Sequence, residues 1–290
     1  MTAAHRAMLL MLAFGATWSA LEIVGASMHR AYSPYQVVWC RYGLHLAFML
    51  ALLGPRDPLA LVRSRRPVFQ VARSLLMLVM PASWIMAWQR GVDAGTMTAA
   101  LALIPLLIMM FGAVFLRERP ANWMWIASTM ASAGCVACAL PLAGTVTRLL
   151  VLPLMTAASF SLYVVMTRSL RTETTRANLF YTALGVFVVL SAFVERVWIM
   201  PDAHDLACMV AIALIGYIGL YALDRSAADA PVGVSAPLAA CQIPIGLLLT
   251  AILGHGKLVP GTWAAVALIG TATLLAFRYA TQQPAEHALD

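Results

Sequence analysis

Apolar runs long enough to cross a bilayer follow one another from Ala7 to Phe277, and no connection between them exceeds about fourteen residues. Crossing the hydrocarbon takes about 20 helical residues, with roughly 17 to 25 tolerated. Ten runs are found, at 7–27, 35–53, 68–89, 97–115, 123–140, 149–166, 179–195, 206–223, 231–253 and 262–277. The seventh and tenth are short enough to need tilt or local bilayer thinning. Lipid offers no partner to backbone N–H and C=O groups, so each run must be helical. The expected fold class is therefore an all-α membrane protein of ten transmembrane helices. The run that starts at Ala7 is too long for a signal peptide and lacks a clear cleavage site, so it is read as the first span.

Composition agrees. The 290 residues are 62% hydrophobic and 11% charged, with a mean hydropathy of +0.84. Soluble proteins carry about 25% charged residues. The longest connections, Gly54 to Pro67 and Thr167 to Asn178, leave no room for a soluble catalytic domain. The net charge of +7 could indicate nucleic acid, but the basic residues read as loop markers and the partner they imply is the lipid bilayer. The five cysteines lie in apolar stretches, and the Cys135/Cys138 pair lacks the further ligands a zinc site needs. No metal and no cofactor are expected, and phosphate-binding glycine loops are missing.

An even number of spans puts both termini on one side. With the N-terminus inside, the inner segments hold Arg6, Arg56, Arg63, Arg65, Arg66, Arg73, Arg117, Arg119, Arg168, Arg171, Arg176, Arg225 and Arg278. The outer segments hold Arg30, Arg90, Arg148, Arg196 and Lys257, and Arg41 lies within the second run. Thirteen against five supports cytoplasmic termini in a bacterial inner membrane.

The halves echo each other. Ala157 to Leu162 repeats Gly15 to Ala20, Gly185 falls opposite Gly43, Gln242-Ile243-Pro244-Ile245 echoes Leu103-Ile104-Pro105-Leu106, and Trp263 echoes Trp123. Five spans is an odd number, so residues 145–290 would enter the membrane from the side opposite to residues 1–144. Two inverted five-helix repeats that can rock about a midplane site are a transporter signature. Proline within a span frees backbone groups, which makes Pro105 and Pro244, with Pro81 and Pro237, candidates for lining a cavity or simply for kinking a helix.

These residues resemble the drug/metabolite transporter superfamily, specifically its EamA type with two tandem five-helix repeats. The resemblance spans residues 7–277. It rests on Trp18-Ser19, on Ser33-Pro34 leading to a span with Arg41, on Pro105 in the fourth span, and on Phe115-Leu116-Arg117-Glu118-Arg119. The last segment is similar to the family's glycine-glutamate-arginine turn, with Arg117 in place of glycine. In the second half Gly254-His255-Gly256-Lys257 stands at that position without the glutamate.

A charge inside a span costs at least about 2.5–3.5 kcal/mol, so each needs a partner or a task. Glu22 and Arg41 sit at matching depths, roughly 7 and 9 Å from the outer ends of the first two spans at 1.5 Å per residue. They are read either as the lining of an outward-facing cavity or as an ion pair joining two helices. In the first reading Glu22 is an exchangeable proton or cation site and Arg41 receives a substrate carboxylate or phosphate. Leu21 to Gly25 is also similar to the glutamate-bearing first helix of the small multidrug resistance transporters, which favours proton coupling. His45 lies one turn beyond Arg41, as a relay or an interior histidine. Trp18, Ser19, Trp84, Tyr163 and Gln242 could supply aromatic walls and hydrogen bonds, or pack helices.

The functional expectation is a secondary carrier exporting small organic solutes such as amino acids, metabolites or drugs, either proton coupled or driven by the solute's own gradient, and not an enzyme. A monomer and a homodimer are both open. The alternative is an intramembrane enzyme using Glu22, Arg41 and His45 as acid, clamp and base.

Overall fold

A computed structural model describes residues 1–54, 57, 59–139, 148–253 and 260–280, and among these the chain is helical, with no strand. The helices are α1 Ala3–Met28, α2 Pro34–Leu52, the single turn α3 Leu59–Val62, α4 Pro67–Gln89, α5 Ala94–Leu101, α6 Ile104–Phe115, α7 Asn122–Ala139, α8 Val151–Ser169, α9 Thr175–Ser191, α10 Ala203–Asp229, the single turn α11 Val232–Ser235, α12 Gln242–Ile252 and α13 Pro260–Ala280. The expected domain boundary at 144/145 and the Gly254 to Lys257 segment lie outside the described residues.

Among the described residues seven segments are long and apolar enough to cross a membrane: α1, α4, Ala94–Phe115, α8, α10, Val232–Ile252 and Thr262–Tyr279. The other three expected runs are also helical. α2 carries Gln36, Arg41 and His45, and α7 carries Asn122, Ser128 and Ser132, so both fall below the hydropathy of the seven. α9 is apolar but has 17 residues.

Two of the seven segments are broken where proline predicts it. Between α5 and α6 the chain turns at Ala102 and Leu103; the Leu103 amide bonds back three residues to Ala100, and Pro105 brings no N–H at all. The stretch Val232–Ile252 passes through a 3-10 helix from Ala236 to Cys241 before α12 begins, with Pro237 and Pro244 in the first turns of its two parts. Each break is met by a serine from another helix. Ser161 on α8 donates to the Ile104 carbonyl at 3.4 Å, and Ser19 on α1 donates to the Gln242 carbonyl at 2.7 Å.

The packing follows matching pairs. α1 lies along α10 and meets α12, while α8 lies along α4 and meets α6; α2 crosses α9, and α7 crosses α13. Close approach needs small residues at the crossings. A side chain at Gly43 on α2 would meet the Phe187 ring at 2.8 Å, and one at Gly185 on α9 would collide with Ser74.

The end of the bundle that carries Arg6 is tied tightly. Arg6 and Arg225 both pair with Asp229, and Ser226 donates to the Ala7 carbonyl at 2.7 Å. Arg168 pairs with Glu118 at 3.4 Å and donates to the Ala227 and Ala228 carbonyls. Arg168 is buried, so it is an internal lock between α8, α10 and the turn after α6 rather than the loop marker its position suggested. Glu118 also accepts from the Val232 amide at 3.0 Å, holding the start of α11. Burial pushes its carboxyl above the usual carboxylate range, against the pull of Arg168 and that amide.

Glu118 is delivered by a turn in which Arg117 has φ 55, the left-handed conformation that glycine adopts freely and other residues reach at a cost of about 1–2 kcal/mol. The glycine of the resembled turn is thus explained by backbone sterics. Arg117→Gly is expected to stabilise the protein by about 1 kcal/mol, read as a rise in thermal midpoint; a fall would show that the Arg117 side chain outweighs its strain.

Candidate functional site

On α1 the residues Met11, Gly15, Trp18, Glu22 and Gly25 fall on one stripe at helical spacing, and all of them except Glu22 are buried against the bundle. Glu22 is on the inward stripe yet its side chain is exposed. Open space beside it is confirmed one turn on, where a side chain added at Gly25 would meet nothing within 4 Å. Glu22 therefore lines a recess within the bundle, toward the end that carries Tyr32.

Across this recess stands Arg41 of α2. Its guanidinium lies 4.6 Å from the centre of the Trp18 ring and 4.7 Å from that of Tyr42, and it donates to the Tyr42 hydroxyl at 3.1 Å. That is its one hydrogen bond among the described residues. A guanidinium between two aromatic faces is oriented by cation–π attraction and keeps its remaining donors for another acceptor. Glu22 is within electrostatic reach of Arg41 and interacts with the Trp18 side chain, yet no ion pair of 4 Å or less joins the two charges. Gly216 of α10 makes room for Arg41, since a side chain there would meet the guanidinium Nε at 3.0 Å.

His45 lies one turn deeper on α2. It is 1% exposed, packs edge-on against Tyr217 with ring centres 5.0 Å apart, and its Nε2 has no hydrogen-bond partner. Alongside, α12 meets α1, where Ser19 holds the Gln242 carbonyl and faces Gly246. Pro244 is buried in the first turn of α12. Of the residues named from the sequence, Trp18, Glu22, Arg41 and His45 thus gather between α1, α2 and α10, while Ser19, Gln242 and Pro244 meet at the neighbouring contact of α1 with α12.

The other three have different surroundings. Trp84 packs in a separate apolar group with Ala87, Val92, Met97 and Leu152. Pro105 sits at the break before α6, beside Ser161. Tyr163 is buried between the levels of Tyr42 and Arg73, its ring 5.0 Å from the Arg73 guanidinium and its hydroxyl 3.1 Å from Thr182, yet within electrostatic reach of Tyr42.

Arg73 is the largest fully buried side chain, at 0% exposure, and so is not the loop marker expected. It donates to Thr167 at 2.9 Å, Gln70 at 2.9 Å, the Asn178 carbonyl at 2.6 Å and Thr182 at 3.0 Å. Asn178 in turn accepts from Gln70 at 2.6 Å and donates to Asp224 at 2.8 Å. Asp224 is 4% exposed because α10 continues to Asp229, beyond the expected end of that run at 223. This network joins α4, α8, α9 and α10 and closes the bundle at the depth of Tyr163. The signal for it was Arg73 lying well inside the third apolar run, the same sign that marked Arg41.

Among the described residues the side chains that could gather on a metal are Asp202, His204 and Asp205, within 4.8 Å of one another at the exposed start of α10. Their roles are structural: Asp202 caps the helix by accepting from the Asp205 amide, and Asp205 accepts from Tyr32 at 2.7 Å. That bond pushes the Tyr32 phenol up from its ordinary range.

Residues 5–140 match the model of the EamA-like transporter family. They belong to that family. The EamA-like match covers α1 to α7, including Trp18, Ser19, Glu22, Arg41 and His45, and with the apolar helices it marks a multi-pass membrane protein whose first half is that of a family of small-solute transporters. Comparison with curated proteins returned no match. Among solved structures, one titled "Crystal structure of protein" is similar at 20% identity with a TM-score of 0.81, covering 95% of this chain and 98% of its own. That likeness is one of fold alone, and it covers nearly the whole chain.

Proposed function

We propose that this chain is a secondary carrier of the bacterial inner membrane that exports small organic solutes such as amino acids, metabolites or drugs by alternating access, with Glu22 as its proton site. In this reading it has ten spans in two inverted five-helix repeats, residues 1–144 and 145–290, with both termini cytoplasmic. The matched packing pairs support the repeats: exchanging the halves turns the α1–α10 contact into α8–α4 and leaves α2–α9 and α7–α13 as they are. The two serines that reach the broken helices of the opposite half support them too. The excess of inner basic residues supports the orientation, which places Tyr32 outside and Arg6 inside.

The observation that carries the reading is the recess itself: Glu22 and Arg41 face one space from opposite walls without neutralising each other. Two unpaired opposite charges with aromatic sides suit a solute that bears both an ammonium and a carboxylate. The sealed Arg73 level at the other end supports an outward-open state, in which that network is the inner gate. No observation favours the enzymatic reading in which Glu22, Arg41 and His45 would serve as acid, clamp and base.

The test is flux in proteoliposomes. A transmembrane pH gradient is expected to stimulate uptake of an amino acid or related solute by the wild-type protein. Glu22→Gln should fold and still equilibrate solute while losing that stimulation. Gradient dependence that persists in the variant would remove the proton role, and no flux of any amino acid, nucleotide derivative or cationic dye would remove the carrier reading.

A further inference from the structure

A second cavity, of about 510 Å³, opens between the end of α2, the start of α9 and the last turns of α10. Its lining is of two kinds. Leu53, Leu179, Tyr217 and Tyr221 form an apolar and aromatic wall, and Arg176 and Arg225 bring two guanidiniums to one rim; no acidic side chain lines it. Arg176 is exposed and makes no hydrogen bond or ion pair among the described residues. Arg225 is half-buried and shares the single carboxylate of Asp229 with Arg6, so one negative charge answers two positive ones. The other acids nearby are engaged elsewhere: Asp224, which also feels Arg225, is turned inward onto Asn178 at 2.8 Å and faces Arg73, Glu173 accepts from the Arg65 amide at 3.0 Å, and Asp57 accepts from the Ala60 amide at 3.2 Å. Thr174 caps α9 by accepting from the Ala177 amide at 3.2 Å, a bond that leaves its own O–H available as a neutral donor at the rim.

We infer that this cavity is a binding site for an anionic phospholipid of the inner leaflet, with the phosphate of its head on Arg176 and Arg225 and an acyl chain along Leu53, Leu179 and Tyr221. The inference rests on the orientation proposed above, which puts the arginine rim at the cytoplasmic headgroup level. Charge complementarity selects an anion, and the apolar wall selects an amphiphile over a free ion. Basic pockets between spans on that side hold anionic headgroups by the same physics. Tyr217 belongs to this cavity and to the partner set of His45, so the lipid would lie directly beneath the transport recess.

The experiment uses purified, delipidated full-length protein in neutral detergent and follows its thermal midpoint against short-chain phosphatidylglycerol, short-chain phosphatidylcholine and inorganic phosphate. Phosphatidylglycerol is expected to raise the midpoint saturably, and the other two are not. In R176Q/R225Q the half-saturating concentration should rise about twenty-five-fold, the product of roughly five-fold for each basic group at an anionic surface. R176Q alone, at an exposed position where folding is safe, should show roughly the five-fold step. R63Q/R171Q, which lie outside the cavity, should leave the response unchanged. An equal response to phosphatidylcholine, or an unaltered one in the R176Q variants, overturns the site; a full response to phosphate alone overturns the lipid as its occupant. Because the readout is binding and not flux, failure here leaves the carrier reading standing.

Discussion

Arg73→Met is expected to lower stability by about 3–5 kcal/mol, the largest effect of any single substitution in the protein. The guanidinium serves four acceptors on three helices, and methionine fills its volume without replacing one of those bonds. Gln70, the Asn178 carbonyl and Thr182 would each lose a donor in a place water does not reach, and Asp224 would lose the positive charge that faces it. Each stranded polar group costs about 1–3 kcal/mol. The thermal midpoint in detergent should fall by roughly 10 °C. Asp224→Leu alone should also destabilise, because it leaves Arg73 without a counter-charge. The double variant should recover part of the loss, since a buried polar group removed together with its partner is far less costly than one removed alone. Additive losses would show that Arg73 and Asp224 do not act as a unit, and with that the inner gate would lose its basis.

The difference between what sequence discloses and what only folding discloses is clearest at this network. Helix positions are readable because lipid forbids any other backbone, so α1 and α4 appear as apolar runs within a few residues of their ends. Pro105 and Pro244 announce breaks because a missing N–H has the same consequence wherever the chain goes. The depths of Glu22 and Arg41 follow from counting residues. What counting cannot supply is the partner. Arg73 meets Thr167, Asn178 and Thr182, each about a hundred positions away, and nothing local to any of them marks the encounter. Whether Glu22 pairs with Arg41 turned on a few ångströms set by Trp18 and Tyr42, which hold the guanidinium back. Trp84 looks equivalent to Trp18 by residue type, yet α4 presents it to a different group of helices. Asp224 escaped notice because charge after an apolar stretch normally marks its end, whereas here the Asn178 amide and Arg73 allow the helix to carry it inside.

Arg41 is where the competing roles separate most sharply. If it were the structural partner of Glu22, replacing it would strand a buried carboxylate and the fold would suffer. In the recess described here it is held by two aromatic faces and one hydroxyl, and Glu22 has space of its own. Arg41→Gln should therefore express and melt close to wild type. It would lose the charge-assisted bonds offered to a solute carboxylate, worth about 1.5–3 kcal/mol, or roughly ten- to a hundred-fold in affinity. Arg41→Lys should not restore it fully, because an ammonium lacks the planar fork and the stacking that orient the guanidinium.

The most direct measurement is the solute concentration dependence of flux in proteoliposomes, taken for wild type and Arg41→Gln beside a thermal melt of each. The account predicts a KM raised at least about ten-fold with an almost unchanged melting midpoint. An unchanged KM, or a fold that collapses when Arg41 is removed, would contradict it.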